Sequence, residues 1–290
     1  MSGPVLVLGA TGQIGRNILN RTRGNPVLAL ARRPAEIDSA PGRSAHGLTD
    51  ISDLDGSLPE QAIATIPIWL LPPLVDQLAK RGLRRLVCFG TTSIDGKSES
   101  RNRYEREVVT RIKAVERELP NLAARADVAL TVLRSTLIYG EGEDRTVTSA
   151  VRFIRRFGFY PVYREATGKR QPVHADDLAA GALLALENDE TVGRTYALGG
   201  GETLTYRDMI ARIFAVLGRP ERIVSVSMLP ALLSVAGTLL PGSELSGDVA
   251  HRMNIDLDFD DGSAGRDFGY APRPFLSAGL DDLSRSSVQS

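Results

Sequence analysis

The chain opens on a segment that leaves few choices of fold: Val5-Leu-Val-Leu-Gly9-Ala-Thr-Gly12-Gln-Ile-Gly15. Four consecutive apolar residues ended by glycine suit a buried strand, and beyond the turn Ile14 and Ile18 lie one helical turn apart. A strand that turns tightly into a helix through three glycines is also a ready phosphate cradle. Gly12 lets the backbone approach a pyrophosphate, and Gly15 lets the helix pack against the strand. The helix N-terminus, beginning near Gln13, offers unpaired N–H groups to the anion. A tight turn with no ligand is the alternative, but the placement after a strand and before a helix favours dinucleotide binding. Gly9, Thr11, Gly12, Gln13, Ile14 and Gly15 are the candidate residues.

The rest of the first half continues the alternation. Short apolar runs at residues 4–8, 27–31, 63–66, 86–89 and 130–133 read as buried strands. Helical periodicity marks 13–21, 74–81 and 103–118, with Val108, Ile112 and Val115 spaced for one face. Alternating strand and helix predicts a parallel sheet with helices on both sides, a doubly wound α/β fold of the Rossmann type. After residue 140 the pattern changes to helices at 151–157 and 206–217 with more Pro and Gly between them. No repeat or flexible linker separates the halves, so the smaller second lobe is expected to interleave with the first.

Composition narrows the function classes. Lys+Arg and Asp+Glu are 35 each, so no global basic field exists to hold nucleic acid. Cys88 is the one cysteine, which excludes an internal disulfide and a cysteine-rich zinc site. The N-terminal apolar run lacks a basic flank and is too short for a signal peptide, so a cytoplasmic location is expected. The longest apolar stretch, 228–240, is broken by Pro230, Ser234 and Gly237 and falls short of the roughly 20 residues that span a bilayer. It reads as a pocket-lining or partly buried helix in preference to one touching a membrane. Nothing in the sequence sets an oligomeric state.

The second strand ends at Ala31, where an acidic residue would suit a free ribose 2′-hydroxyl. Arg32-Arg33 stands there instead. Two guanidinium groups suit a 2′-phosphate, so NADP is expected ahead of NAD, against the alternative of two solvated surface arginines.

Four ordered motifs now combine: the glycine loop, Leu133-Arg-Ser-Thr-Leu-Ile-Tyr-Gly140, Gln171-Pro-Val-His-Ala-Asp-Asp-Leu-Ala179 and Tyr196-Ala-Leu-Gly-Gly200. Together they resemble the extended and atypical short-chain dehydrogenase/reductases, and within them the NAD-dependent epimerase/dehydratase group often labelled nucleoside-diphosphate-sugar epimerases. The resemblance implies a cofactor-binding Rossmann domain made of residues 1–140 plus about 171–200. It implies a substrate lobe made of about 141–170 plus 201–290. It makes His174 structural in preference to a proton carrier, with Asp176 and Asp177 suiting the N-cap and first turn of the next helix.

The family's chemistry uses a Ser or Thr at a strand end and a Tyr-x-x-x-Lys on the following helix. Thr91-Thr92-Ser93 supplies the hydroxyls, and Thr92 best matches the family position by its offset from the strand. The pair is missing. Tyr104-Glu-Arg-Glu-Val108 puts valine where lysine belongs, and a second register puts Val108 and Ile112 at the two positions. A free phenol has a pKa near 10, so only about one molecule in a thousand is ionised at pH 7 unless a cation lies beside it. Lys113 lies two and a half turns beyond Tyr104, on the wrong face.

Further candidates are Pro67 and Trp69, in a proline-stiffened loop, which serve as cofactor wall or as core packing. Asp256, Asp258, Asp260 and Asp261 alternate with apolar residues and read as a half-buried edge strand in preference to a metal site. Arg152, Arg155, Arg156, Arg164 and Arg170 enrich the second lobe and suit either an acidic or nucleotide-linked small substrate or solvated helix faces. The sequence thus supports an NADP-binding oxidoreductase or epimerase-like enzyme of low catalytic endowment. Its rival is a non-catalytic NADP-binding regulator or assembly factor, similar to the NmrA-like proteins that keep the fold and lose the Tyr-Lys pair.

Overall fold

A computed structural model describes residues 3–48, 56–92, 94, 103–239, 246–260 and 262–283; Ser93 and Asp261 lie outside the described residues. The strands are β1 (Val5–Leu8), β2 (Val27–Ala31), β3 (Arg43–Gly47), β4 (Gln61–Ala64), β5 (Arg85–Thr91), β6 (Ala129–Ser135), β7 (Ile138–Tyr139), β8 (Tyr160–Val162), β9 (Lys169–Arg170), β10 (Val173–His174), β11 (Thr195–Leu198), β12 (Leu204–Thr205) and β13 (Ile223–Ser225). The helices are α1 (Gln13–Arg21), α2 (Pro72–Lys80), α3 (Arg103–Arg125), α4 (Val147–Phe157), α5 (Ala175–Glu187), α6 (Tyr206–Val216), α7 (Leu229–Leu239), α8 (Gly247–Arg252) and α9 (Ser263–Phe268).

Seven strands form one sheet in the order β11-β6-β5-β4-β1-β2-β3, with every pairing parallel. The expected doubly wound fold is present. Its central strands are apolar because both faces are covered: Leu6 and Leu8 enter one buried cluster with α2 and α3, while Val5 and Val7 enter the other with α1 and α5. β3 carries no apolar pattern, since Arg-Ser-Ala-His-Gly sits at the sheet edge, half-exposed. The strand read at 63–66 begins and ends two residues earlier, ahead of the turn that Pro67 opens.

A third buried cluster lies around Tyr139, Ile154, Ile213 and Phe214, in the part of the chain expected to form the second lobe. The chain does not stay there: Ala264, Phe268 and Tyr270 return to the α1–α5 side of the sheet. Residues 256–260 do not form the expected edge strand. It forms a single bridge, Leu257 to Arg170, and its acids serve neighbours: Asp256 accepts from the Lys169 N–H, Asp258 pairs with the Lys169 ammonium and Asp260 accepts from the Gly199 N–H. Among the described residues no helix is long and apolar enough to cross a membrane.

Candidate functional site

The sheet order reverses at β1, which lies between β2 and β4. Chains leaving β1 and β4 therefore diverge above their carboxyl ends, and the crevice so formed is where open α/β sheets take ligands. The glycine loop lines it. Gly9 has φ +90° and donates its N–H to the Leu30 carbonyl at 2.8 Å. A side chain at Gly9 would meet Thr65 Oγ1 at 2.6 Å, and one at Gly15 would drive into the Gly9 carbonyl and come within 2.8 Å of Ala10 Cα. Gly12 differs. Its φ of −74° is open to any residue, so the left-handed turn falls on Gly9, and a Cβ at Gly12 would touch only the Gly9 carbonyl at 3.4 Å.

Helix α1 starts without a side-chain cap. Gly12 is the N-cap and has no side chain to offer, and the first ladder bond runs from the Arg16 N–H to the Gly12 carbonyl at 2.9 Å. The N–H groups of Gln13, Ile14 and Gly15 thus have no acceptor within the helix, and no acidic side chain lies in the first turn. Ile14 packs into the core beneath, while Thr11 and Gln13 stay half-exposed. Sequence reasoning missed the next neighbour: Arg16 bonds the Thr11 carbonyl and faces Glu143 at 2.9 Å and the buried Glu141 at 3.5 Å. The Glu-Gly-Glu run after Gly140 was its only trace in the sequence.

The two arginines beyond β2 part company. Arg33 reaches back to Glu36 at 2.6 Å. Arg32 is exposed and pairs with no described residue. Beyond β4, Pro67 is exposed at the mouth of the crevice. Trp69 turns the other way, half-buried against the α2–α3 cluster with the Arg111 guanidinium 5.8 Å from its ring centroid.

The edge above β5 is built otherwise. Thr91 ends β5 half-buried. Thr92 is buried, and its N–H (3.0 Å) and hydroxyl (3.2 Å) both donate to the Ser135 carbonyl. Tyr104 stands at the start of α3, 71% exposed. Glu116 fixes how α3 lies, because it pairs with Arg134 of β6 and occupies the space a side chain at Gly90 would need. Ile112 and Val108 are four and eight residues before Glu116, on the same face and about 6 and 12 Å nearer the crevice. Ile112 is buried in the α2–α3 cluster and Val108 packs against it. Glu105 reaches across to Arg252 of the second lobe at 3.0 Å.

The segment joining the lobes holds its charges for structure. His174, and not an aspartate, caps α5: its Nδ1 accepts the Asp176 N–H at 3.1 Å. Burial, with help from the Arg273 charge, holds its pKa below the ordinary histidine value. Asp176 binds Arg21 at 2.6 Å and Arg273 at 2.6 Å, while Asp177 binds Arg273 at 2.8 Å. Burial pushes the Asp176 pKa up, but the two guanidinium groups outweigh it and hold the carboxyl below its ordinary value. Arg170 is buried among the carbonyls of Lys169, Ile255 and Arg252, and desolvation lowers its pKa to about 10. It is thereby set apart from Arg152, Arg155, Arg156 and Arg164, which are exposed.

Residues 72–199 match the family model described as NAD dependent epimerase/dehydratase family. The NADH dehydrogenase [ubiquinone] 1 alpha subcomplex subunit 9, mitochondrial, of Arabidopsis thaliana is 31% identical over 97 residues, which are 33% of this chain and 24% of that one. The 2-alkyl-3-oxoalkanoate reductase of Stenotrophomonas maltophilia is 25% identical over 188 residues, 61% of this chain and 57% of that one. The match thus spans about a quarter and just over half of these relatives' lengths. The UDP-glucose 4-epimerase of Thermotoga maritima, solved with UDP-glucose, has the same fold, with a TM-score of 0.68, 16% identity and 97% of each chain covered.

Proposed function

We propose that this chain, which carries an NAD dependent epimerase/dehydratase family domain over residues 72–199, binds NADP above β1, β2 and β4 and serves as an oxidoreductase on a small acidic or nucleotide-linked molecule. One observation carries the reading: a cradle of three glycines, two of which admit no Cβ, lies under an uncapped helix N-terminus. Such a cradle fits a diphosphate, since it offers N–H donors where a side chain would exclude the ligand. The N–H groups of Gln13, Ile14 and Gly15 would hold it, and Arg32 would meet the 2′-phosphate with Arg33 behind it. Residues 1–140 with about 171–200 form the cofactor unit in this reading, and the remainder the substrate lobe.

When bound, the cofactor supplies hydride transfer at its nicotinamide ring. Thr91, at the end of β5, would orient a substrate oxygen in this reading. Thr92 acts through the backbone, holding β5 to β6 with its hydroxyl already given to Ser135. Reductase names among the relatives support carbonyl reduction as the first chemistry to try. The experiment is to follow loss of NADPH absorbance against a panel of 2-oxo and 3-oxo compounds. Oxidation that depends on one of them supports the reading. The second reading, a cofactor-binding regulator, is favoured by Val108 and Ile112, two aliphatic residues that stand where neither register of α3 supplies a tyrosine and a lysine. Tight binding with no turnover across the panel would favour it.

A further inference from the structure

Helix α7 has two apolar sides, and the protein covers one. Leu229 and Leu233 pack into the second-lobe core, whereas Met228, Leu232 and Val235 are 68%, 55% and 59% exposed. The exposed three fall at i, i+4 and i+7, so they form one stripe about 10 Å long on a helix too short to span a bilayer. Four residues before Met228, the β8–β13 pair exposes a second apolar group. Ile223 and Val162 turn into the core there, so Pro161 and its partner Val224 face outward together, with Phe159 two residues before Pro161 on the same face. Phe159, Phe157 and Val224 are exposed.

The same segments of chain carry positive charge. The chain as a whole carries zero formal charge, yet residues 151–165 and 218–239 hold six arginines, no lysine and two glutamates. Arg155, Arg156, Arg164, Arg219 and Arg222 are all exposed. Arg222 lies two residues before Val224, ahead of β13, and Arg155 and Arg156 immediately precede Phe157. An apolar and aromatic stripe bordered by guanidinium groups matches an anionic lipid surface in both respects. The apolar residues enter the acyl boundary while the arginines stay among the headgroups.

We propose that this face of the second lobe docks on an anionic bilayer, with α7 lying along the surface. The test is flotation of the full chain with vesicles of phosphatidylcholine alone and of phosphatidylcholine with one quarter phosphatidylglycerol. Binding is expected to the second only and to weaken as salt rises. Leu232→Asp with Val235→Asp should lower it at least about tenfold, since both lose burial and add repulsion. Arg155→Gln with Arg156→Gln should also lower it about twenty-five-fold, at about fivefold per arginine. All four side chains are exposed, so melting temperature and NADPH affinity should stay at the parental values and show that loss of binding is not loss of fold. Equal flotation with both vesicle types, none with either, or full binding by the variants would overturn the proposal. So would a concentration-dependent dimer that Leu232→Asp dissolves, because the occupant would then be a second copy.

Discussion

The crevice above β1, β2 and β4 and the edge above β5 and α3 lie side by side on one end of one sheet, yet they are made of different material. The crevice is built from backbone: a left-handed Gly9, a close approach at Gly15 and the open first turn of α1. The edge depends on side chains, and there Thr92 is bonded to Ser135, Tyr104 faces outward and the inward positions of α3 are Val108 and Ile112. A backbone site is tied to the fold, since losing it means losing the packing of helix on strand. A side-chain site is not. Two aliphatic residues fill the α3 positions and add to the core, so side chains at that edge can change without disturbing the backbone of the crevice.

Glycine substitutions should separate the two most sharply. Gly12→Val is expected to lower NADPH affinity at least about a hundredfold, because the added side chain stands where the ligand approaches. Its melting temperature should stay within a few degrees of the parent, since φ at Gly12 suits any residue. Gly15→Val should lose both, with overpacking costing about 3 kcal/mol or more and a melting drop of roughly 6 to 12 °C. Retained affinity in folded Gly12→Val would break the crevice assignment.

Next in size is the arginine pair. Arg32→Ala should weaken NADPH by about tenfold to a hundredfold and leave NADH nearly unchanged, the loss of one charge-assisted contact being about 1.5 to 3 kcal/mol. Arg33→Ala should do less, because Glu36 already holds that guanidinium. Competition titrations of both variants would check the order. On the edge, Tyr104→Phe should leave any turnover within about tenfold of the parent, where removal of a true general base costs about a hundredfold to ten-thousandfold. A thousandfold loss would show that a distant cation replaces the lysine.

The smallest effect concerns the joint between the lobes. The folded His174 has a pKa below its unfolded value near 6.5, so the fold favours the neutral ring and loses stability as pH falls from about 6.5. Asp176, also depressed, adds a second loss as pH falls below about 4. His174→Asn keeps a capping oxygen and removes the titration. Denaturant unfolding at pH 7.5 and 5.5 should show a gap of about 1 kcal/mol in the parent and less in the variant.

The same contrast decides how far each region is legible in the sequence. The glycine loop, the ends of β1 and α1 and the parallel order are readable because buried parallel strands are apolar throughout and glycine marks backbone need. β3 is not, since an edge strand of Arg-Ser-Ala-His-Gly has no covered face to impose a pattern. The register of α3 stays open in the sequence because it rests on Glu116 meeting Arg134 and Gly90, a contact between separate strands and a helix. Residue preference gives the cap of α5 to aspartate, but the nitrogen of His174 takes that place and the aspartates are drawn to Arg21 and Arg273.

The central claim is that the crevice, with Arg32 at its rim, is a nicotinamide dinucleotide site selective for the 2′-phosphate. Calorimetric titration of the parental chain with NADPH and then with NADH tests it most directly. The account predicts that both bind at one site, NADPH about tenfold to a hundredfold more tightly. Equal affinities, a preference for NADH or no binding of either would contradict it.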